Sequence, residues 1–314
     1  STTSANYSVN TVAPQLLSIV LDDSALKIGE TATVTVSFSE AVDGFGAAHL
    51  TVPNGTLGAL TRSADGLSWT GTLTPAENTT VASNAISVGN LDGVKNSVDS
   101  AAVGSQVISS NYSVDTVAPQ LTGITLDSDA LKIGATATLT VTFSEVVAGL
   151  TAAHLSVPHG TLGALTRSAD GLSWTGTLTP AANTTAASNI ISVDNLSGVA
   201  DAAGNPATGS GVTSANYSVD TTAPQLTGIT LDDSALKAGE TANVTISFSE
   251  AVTGLTAAHL TVPNGTLGTL TRSADGLSWT GTLTPAANTT AAANTIRVNN
   301  LSGVADAAGN PATG

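Results

Sequence analysis

The chain has 314 residues, enough for two or three domains, and it carries 8 Lys and Arg against 23 Asp and Glu, for a net charge of −15. This acidic balance argues against nucleic acid and anionic membranes as partners, because both require clustered cations, and no apolar run is long enough to insert into a bilayer. The sequence contains no cysteine, so no disulfide holds its domains together.

The sequence repeats itself three times with a step of 105 residues. The tetrapeptide Asn-Tyr-Ser-Val begins at Asn6, Asn111 and Asn216, and the decapeptide Ser-Ala-Asp-Gly-Leu-Ser-Trp-Thr-Gly-Thr is identical at positions 63, 168 and 273. A period of about one domain length indicates an array of similar modules. Because an enzyme needs one asymmetric pocket rather than three copies of it, the repeats favour a spacer.

The first repeat predicts seven β-strands, because its apolar residues alternate with Thr and Ser, as at Val34, Val36 and Phe38. In chain order we expect strand A at about 15–21, B at 31–39, C at 48–53, C′ at 56–62, E at 66–74, F at 84–91 and G at 104–114. Asn54 followed by glycine predicts a two-residue hairpin turn, and Asp65 followed by glycine predicts a second turn.

Seven short antiparallel strands with one buried Trp suit an Ig-like β-sandwich without its usual disulfide. The prediction is therefore an all-β chain of three tandem Ig-like antiparallel β-sandwich domains in an extended rod, with another seven- or eight-stranded sandwich topology as the alternative. We expect the tryptophans to lie in the cores, at Trp69, Trp174 and Trp279.

Proline-containing linkers at 114–119 and 219–224 define the domain frame, since proline holds the backbone extended. We expect a last strand and linker of a preceding repeat at 1–12, Ig-like repeats at 13–116 and 117–221, and a third repeat at 222–314 without its own strand G. Ser1 to Asn10 then matches strand G, and we expect it to fit repeat three of another chain by head-to-tail strand donation. The alternative is a fragment boundary set without regard to the domains.

Enzyme signatures are absent from the sequence: it has no Gly-x-Ser-x-Gly, no His-Glu-x-x-His and no P-loop. The recurring histidines each stand alone in Ala-Ala-His-Leu, without a repeating acidic or cysteine neighbour, at His49, His154 and His259. These are expected to be surface or edge residues.

Acidic residues recur at loops that the strand order brings to one pole of each repeat: the incoming linker, the loop after strand B and the loop between F and G. Repeat two offers Asp115, Glu145 and Asp201, with Asn205 close behind, and repeat three offers Asp220, Glu250, Asp306 and Asn310. The opposite pole carries the A–B loop, with Asp22, Asp23, Asp127 and Asp129. In a string of domains that pole faces the next linker.

Carboxylate and amide oxygens that converge at a domain junction suit Ca²⁺, which takes about six to eight oxygen ligands. The alternative is that these are ordinary turn residues, since Asp and Asn are common turn formers. In repeat one, Asn10 and Asn96 replace two of the acids and Glu40 remains. Calcium at that pole is therefore expected to bind poorly or not at all.

Four motifs of repeat three resemble bacterial Ig-like repeats: Asp-Thr-Thr-Ala-Pro at 220–224, Phe-Ser-Glu-Ala-Val at 248–252, Leu-Ser-Trp-Thr-Gly-Thr-Leu-Thr-Pro at 277–285 and Val-Ala-Asp-Ala-Ala-Gly-Asn at 304–310. Such repeats form the long central regions of giant adhesins and biofilm proteins, usually exported by type I secretion. The resemblance implies an extracellular or cell-surface location. It also implies that calcium between domains stiffens the stalk through Asp115, Glu145 and Asp201 and through their counterparts in repeat three.

Two functions follow as hypotheses. The first is a non-catalytic extracellular spacer of an adhesin or filament, in which neighbouring repeats are the partners and each domain adds about 40 Å. The second is a multivalent module whose repeats each bind a glycan or surface ligand weakly.

Overall fold

The computed structural model describes residues 2–7, 9–104, 106–209 and 211–314, and its regular elements are β-strands apart from one short 3₁₀ helix in each repeat. Alternating Val, Leu and Thr explain the strands, because such residues suit a pleated surface with one buried face. The strands of repeat one are β1 (Leu16–Leu21), β2 (Ala25–Lys27), β3 (Ala32–Phe38), β4 (Leu50–Thr51), β5 (Gly55–Leu57), β6 (Thr61–Arg62), β7 (Ser68–Pro75), β8 (Thr80–Asn84), β9 (Ser87–Val88) and β10 (Tyr112–Asp115).

Repeat two has the same series of strands at the equivalent positions. They are β11 (Leu121–Leu126), β12 (Ala130–Lys132), β13 (Ala137–Phe143), β14 (Leu155–Ser156), β15 (Gly160–Leu162), β16 (Thr166–Arg167), β17 (Ser173–Pro180), β18 (Thr185–Asn189), β19 (Ser192–Val193) and β20 (Tyr217–Asp220). Repeat three has β21 (Leu226–Leu231), β22 (Ala242–Phe248), β23 (Leu260–Thr261), β24 (Gly265–Leu267), β25 (Thr271–Arg272), β26 (Ser278–Pro285) and β27 (Arg297–Val298). The 3₁₀ helices span Ala47–His49, Ala152–His154 and Ala257–His259.

The strands of repeat one form two main sheets and a separate two-stranded pair. The larger sheet has the order β1-β3-β7-β5, with β6 also paired to β7, and its pairings are antiparallel. The smaller sheet has the order β2-β10-β8, in which β2 runs parallel to β10, and β4 pairs with β9. Repeat two has the same arrangement. The predicted all-β chain of tandem Ig-like sandwich domains is confirmed.

Each repeat has its own apolar core. On β3, Val34 and Val36 are fully buried, while the alternating polar residues Thr33, Thr35 and Ser37 lie on the other face of the strand and are exposed or partly buried. Tyr112 on β10 and Leu26 on β2 add the side chains of the smaller sheet and are 1% exposed. Burying an aliphatic side chain of this size contributes about 1.5–3 kcal/mol, so each core is aliphatic and modest.

Two details of the first repeat differ from the sequence prediction. Asn54 has the positive φ of 52° that a tight turn requires, but it does not close a hairpin. The strand before it, β4, pairs with β9, whereas the strand after it, β5, pairs with β7, so the chain crosses between sheets here. The predicted strand C′ is divided into β5 and β6, because β7 pairs with them separately at Leu73 and Thr70. The turn predicted at Asp65 does form, and it joins β6 to β7 through a loop longer than two residues.

The three tryptophans are partly buried and pack against the cores of their repeats, as expected for inward-facing residues. Trp69 stands on the inner face of β7, paired with Val36, and its ring lies 6.0 Å from that of Phe45. Its indole Nε1 is buried without a hydrogen-bond partner among the described residues, as are those of Trp174 and Trp279.

Repeat three retains the larger sheet, with the order β21-β22-β26-β24, and the pair β23-β27. Among its described residues no strand corresponds to β2, β8 or β10. Leu236 is accordingly only partly buried, whereas its equivalents Leu26 and Leu131 are 1% and 2% exposed. No helix within the described ranges is long and apolar enough to cross a membrane.

Candidate metal centre at the repeat junctions

Three loops bring acidic side chains together where repeat two meets repeat one, which we call the first junction. Asp115 ends β10, Glu145 follows β13 by two residues, and Asp201 lies in the loop between β19 and β20. That loop is held beside the end of β13 by the bridge between Ala148 and Ala200. The second junction, between repeats two and three, places Asp220, Glu250 and Asp306 in the same way.

The carboxylates of the second junction are close enough to share one ion. One oxygen from each of Asp220, Glu250 and Asp306 lies within 4.8 Å of the others. Two oxygens that bind one Ca²⁺ at about 2.3–2.6 Å can be at most about 5 Å apart, so this spacing fits a single cation. The donor set also fits, because carboxylate oxygens are the hard ligands that Ca²⁺ prefers.

The ionised form of the glutamate at each junction is disfavoured by its surroundings. Burial raises the pKa of Glu145 above its usual range, and the neighbouring charges of Asp115 and Asp201 raise it further. The pKa of Glu250 is raised for the same reasons, by burial first and then by Asp220 and Asp306. Three carboxylates therefore repel one another at both junctions unless a proton or a cation compensates them.

Hydrogen bonds fix the two aspartates of the first junction from outside the cluster. The Thr80 hydroxyl donates to Asp115 Oδ1 over 2.9 Å. The backbone N–H groups of Gly204 and Asn205 donate to Asp201 Oδ1 over 2.7 and 2.8 Å. The carboxylates are thus oriented by neutral donors, which leaves their negative charge uncompensated.

Asn205 connects three segments across the first junction and is 0% exposed. Its Oδ1 accepts a hydrogen bond from the N–H of Ile28 in repeat one over 2.9 Å. Its Nδ2 donates to the carbonyl of Asp115 and to Asp201 Oδ2, both over 2.9 Å. Asn310 makes the equivalent contacts with Ile133, Asp220 and Asp306 at the second junction.

The linker between repeats one and two is short and tied at both ends. Thr116 donates from its N–H to Thr79 and from its hydroxyl to Ala76, over 2.8 and 2.6 Å. The Pro119 carbonyl accepts from the N–H of Thr208 over 2.8 Å. Only Val117 and Ala118 lie between these anchors. A crevice of about 710 Å³ lies beside them and is lined in part by Ile28, Thr116 and Glu145.

A model of the bacterial Ig-like domain family matches residues 10–114, 115–219 and 220–314. The chain belongs to the bacterial Ig-like domain family. A search of curated proteins found no match. Solved structures similar to the chain include the I9–I11 tandem of titin, with 9% identity, 91% of this chain and 97% of that chain covered and a TM-score of 0.31. A marsupial T cell receptor is 11% identical, with 88% of this chain and 98% of that chain covered and a TM-score of 0.29.

The first of the three bacterial Ig-like repeats carries a different set of residues at its entry pole. Asn10 and Asn96 stand where the junctions have aspartates, and their Nδ2 groups donate to Glu40 Oε2 over 3.3 and 2.9 Å. Asn96 is 6% exposed. The two amide groups donate hydrogen bonds to the single carboxylate of this pole. Three ionised carboxylates at the same positions have no donor among them and cannot hydrogen-bond to one another.

The remaining predicted ligands take other roles. Asp22 and Asp127 each accept a hydrogen bond from a Thr backbone N–H, over 2.6 and 2.7 Å, and this lowers their pKa. Asp23 caps the N–H of Ala25, and the backbone carbonyl of Asp129 accepts from Ser218. Among the described residues these aspartates join no group of three clustered acids. Their contacts are those of turn residues.

Sequence reasoning placed Asn205 and Asn310 near the junctions but assigned them to the metal. In the structure their amide groups already bond to the backbone of the preceding repeat and to an aspartate, and the prediction of direct ligation has no support in these contacts. The sequence does hold a signal for this role, because repeats two and three have asparagine at this position whereas repeat one has Ser100. The lone histidines hydrogen-bond through Nε2 to the backbone carbonyls of Asp92, Ser197 and Ser302, in the loops after β9, β19 and β27.

Proposed function

We propose that these bacterial Ig-like repeats form a non-catalytic extracellular spacer, stiffened by a calcium ion at each of the two junctions. The Ig-like fold is typically not catalytic, and bacterial Ig-like domains usually occur in extracellular or surface proteins. Tandem Ig-like domains suit both stalks and binding modules. The observation that carries the spacer proposal is the trio of mutually close carboxylates at the second junction, and the first junction has the same residue types, with Asp115 and Asp201 near enough to raise the pKa of Glu145.

The charge arrangement supports a cation at these positions. The raised pKa of Glu145 and of Glu250 reflects repulsion that a divalent cation would convert to attraction. Lys27 does approach the first junction, with its Nζ 3.1 Å from where a Cβ on Gly204 would lie. That ammonium group is already paired with Glu30 over 3.4 Å. The carboxylates of the first junction therefore remain without a dedicated counter-charge, whereas at the second junction Lys132 approaches the equivalent loop, with its Nζ 3.0 Å from where a Cβ on Gly309 would lie.

The geometry of the linker supports stiffening as the consequence. Because Thr116 is bonded to repeat one and Pro119 to repeat two, only two residues separate the domains. The three ligands come from the linker, from the strand end at Glu145 and from the loop at Asp201. One bound ion would thus fix the linker against two loops of repeat two, which is how a small ligand restricts the angle between domains.

The test compares calcium with chelator for the unchanged chain and for a variant with Asp115→Asn and Glu145→Gln. Calcium at about 100 times its Kd should raise the free energy of unfolding by about 2.7 kcal/mol, and with it the melting temperature. X-ray scattering should show a longer particle. The double variant should lose the effect at the first junction and keep it at the second. Asp92→Asn with Asp194→Asn, two exposed aspartates, removes the same charge and should change neither result.

A second variant tests whether the first junction can be made stable without calcium. Asp115→Asn with Asp201→Asn gives the first junction the two asparagines of repeat one, so both new amides can donate to Glu145 as Asn10 and Asn96 donate to Glu40. This junction should lose its calcium response without losing its stability in chelator. If chelator changes neither the melting curve nor the scattering profile of the unchanged chain, the acidic residues are only turn formers and the proposal fails.

The multivalent binding module remains the second function class for tandem Ig-like domains. It requires an exposed platform repeated in each domain, and tryptophan was its candidate. Trp69, Trp174 and Trp279 lie on the inner faces of their sheets and pack against the cores. Since this placement does not favour a platform, the spacer is the better-supported function.

A further inference from the structure

The two junctions within the chain carry the same acidic trio but different charges around it. In repeat one, the carboxylate of Glu30 accepts from the backbone N–H of Lys27 over 3.3 Å and pairs with its ammonium group over 3.4 Å. Repeat three has the same pair in Lys237 and Glu240, with the ammonium group 3.7 Å from the carboxylate. Repeat two has Ala135 in place of the glutamate, so the lysine of this repeat lacks that partner.

This lysine, Lys132, reaches the second junction without being held by a carboxylate. Its side chain is exposed, and among the residues that the structure describes no carboxylate oxygen lies within 4.0 Å of its Nζ. The Nζ lies 3.0 Å from where a Cβ on Gly309 would lie. Gly309 belongs to the turn of Asp306, since its N–H donates to the Asp306 carbonyl over 3.3 Å. The flexible lysine stem can bring the ammonium group to the acidic trio from this position.

The acidic trio is also more compact at the second junction. One oxygen from each of Asp220, Glu250 and Asp306 lies within 4.8 Å of the others, whereas the trio of the first junction, which the structure also describes, does not meet this spacing. Asp306 is 8% exposed, while its equivalent Asp201 is only partly buried. Carboxylates that are this close and this buried are stabilised by a nearby cation, and Lys132 supplies one.

The surroundings of the first trio are more negative. Glu30 and Glu77 of repeat one line the same crevice as Glu145. In repeat two the equivalent residues are Ala135 and Ala182. Because the lysine of repeat one is already paired, these two additional carboxylates make the first junction the more favourable site for a divalent cation.

We propose that the two junctions respond to calcium at different concentrations, because Lys132 compensates the charge of the second acidic trio whereas Lys27 is paired with Glu30 beside the first. The first junction then has the higher affinity for calcium and stiffens first as its concentration rises. The second junction keeps part of its stability without the ion. The difference in affinity rests on the calcium function proposed above, whereas the compensation by Lys132 does not, since it acts in the absence of any ion.

Calorimetric titration of two variants of the full chain measures each junction separately. Asp220→Asn with Glu250→Gln leaves only the first trio, and Asp115→Asn with Glu145→Gln leaves only the second. For a divalent ion, one unit charge about 10 Å away changes the affinity about fourfold at low salt. The first trio should therefore bind calcium at least about fourfold more tightly than the second, and the difference should shrink at about 0.5 M salt because the charges are screened.

Exchanging the residue that follows the lysine turn should move this difference between the junctions. In the variant with only the first trio, Glu30→Ala should lower the calcium affinity about fourfold, and in the variant with only the second trio, Ala135→Glu should raise it about fourfold. Glu240→Ala is the matched control, because it removes the same Lys–Glu pair from repeat three, away from both junctions. It should leave both affinities unchanged.

Lys132→Met tests the counter-charge itself, because methionine removes the ammonium group and keeps an apolar stem. In chelator at pH 7 this variant should melt about 2–4 °C lower than the unchanged chain. In calcium it should bind the ion more tightly at the second trio, because no ammonium group competes. A residue with only a packing role would not produce these opposite effects. Lys237→Met, whose side chain is 83% exposed, is the control and should change neither result.

Equal calcium affinities of the two trios, or affinities that do not respond to Glu30→Ala and Ala135→Glu, would overturn the proposal. An unchanged melting temperature of the Lys132→Met variant in chelator would overturn it as well. If calcium binds at neither trio, the calcium function fails and the difference in affinity fails with it. A lowered melting temperature of Lys132→Met in chelator would then still support the compensation of the second trio, so the two failures are distinguishable.

Discussion

Asn205 shows how one buried side chain can couple two domains. Its carboxamide uses its oxygen on the backbone of repeat one and its nitrogen on the linker and on Asp201, so all its bonds cross or border the first junction. Asn310 repeats these contacts one domain further on. Because such a residue has no access to solvent, losing it leaves buried donors and acceptors without partners.

We expect Asn205→Ala to destabilise the coupled repeats by about 1–3 kcal/mol, the usual cost of buried groups left unpaired. Hydrogen exchange should show faster exchange at the N–H of Ile28, which loses its acceptor. Asn310→Ala is the matched control, since it should affect Ile133 and leave Ile28 unchanged. Equal protection of Ile28 in the Asn205→Ala variant and in the unchanged chain would show that the bond contributes nothing in solution.

At the scale of elements, the loops at the two poles of a repeat carry acids with opposite electrostatic behaviour. The pKa of Asp127 is lowered by the hydrogen bonds from Thr138, so that contact stabilises the fold at higher pH and is lost on acidification below the usual Asp range. The pKa of Glu145 is raised by burial and by Asp115 and Asp201. A glutamate that holds its proton more tightly when folded stabilises the fold at low pH and loses that contribution as pH rises through its folded pKa.

In chelator, the stability of repeats two and three should therefore contain a component that falls as the pH rises above the usual Glu range of about 4, because Glu145 and Glu250 lose their protons beside other carboxylates. Melting temperatures recorded as the pH is raised measure it. Glu145→Gln with Glu250→Gln should flatten the decline, and calcium should reverse it in the unchanged chain by binding the deprotonated trio. An identical decline in the double glutamine variant would assign it to other groups.

The alternation of residues such as Val34 and Val36 with threonine predicted the sheets, because period two determines which face of a strand is buried. It could not predict that β4 and β5 belong to different sheets, since a turn at Asn54 is compatible with a hairpin and with a crossing. The acidic trios were found because strand order alone brings their loops to one pole. The interdomain bond from Ile28 to Asn205 was not, because a backbone N–H leaves no trace in the sequence.

For the whole molecule, the relation between neighbouring repeats depends on how little free chain joins them. Thr116 belongs by its hydrogen bonds to repeat one and Pro119 to repeat two, which leaves Val117 and Ala118 as the link. Across the first junction the N–H of Ile28 bonds to Asn205 and Lys27 lies near the loop at Gly204, and calcium is our proposal at Asp115. All of these require the two-residue spacing to be kept.

Inserting four residues, Gly-Ser-Gly-Ser, after Ala118 should therefore uncouple repeats one and two while leaving each sandwich folded. The added chain lets Asp115 move away from Glu145 and Asp201, and Asn205 away from Ile28, because a flexible linker of this length gains roughly 10 Å of reach. Scattering should show a broader distribution of particle lengths, and calcium should no longer lengthen the particle at this junction. The same insertion after Ala223 is the control for the second junction. If the first insertion leaves the length distribution and the calcium response unchanged, the contacts across the junction do not determine how the domains are oriented.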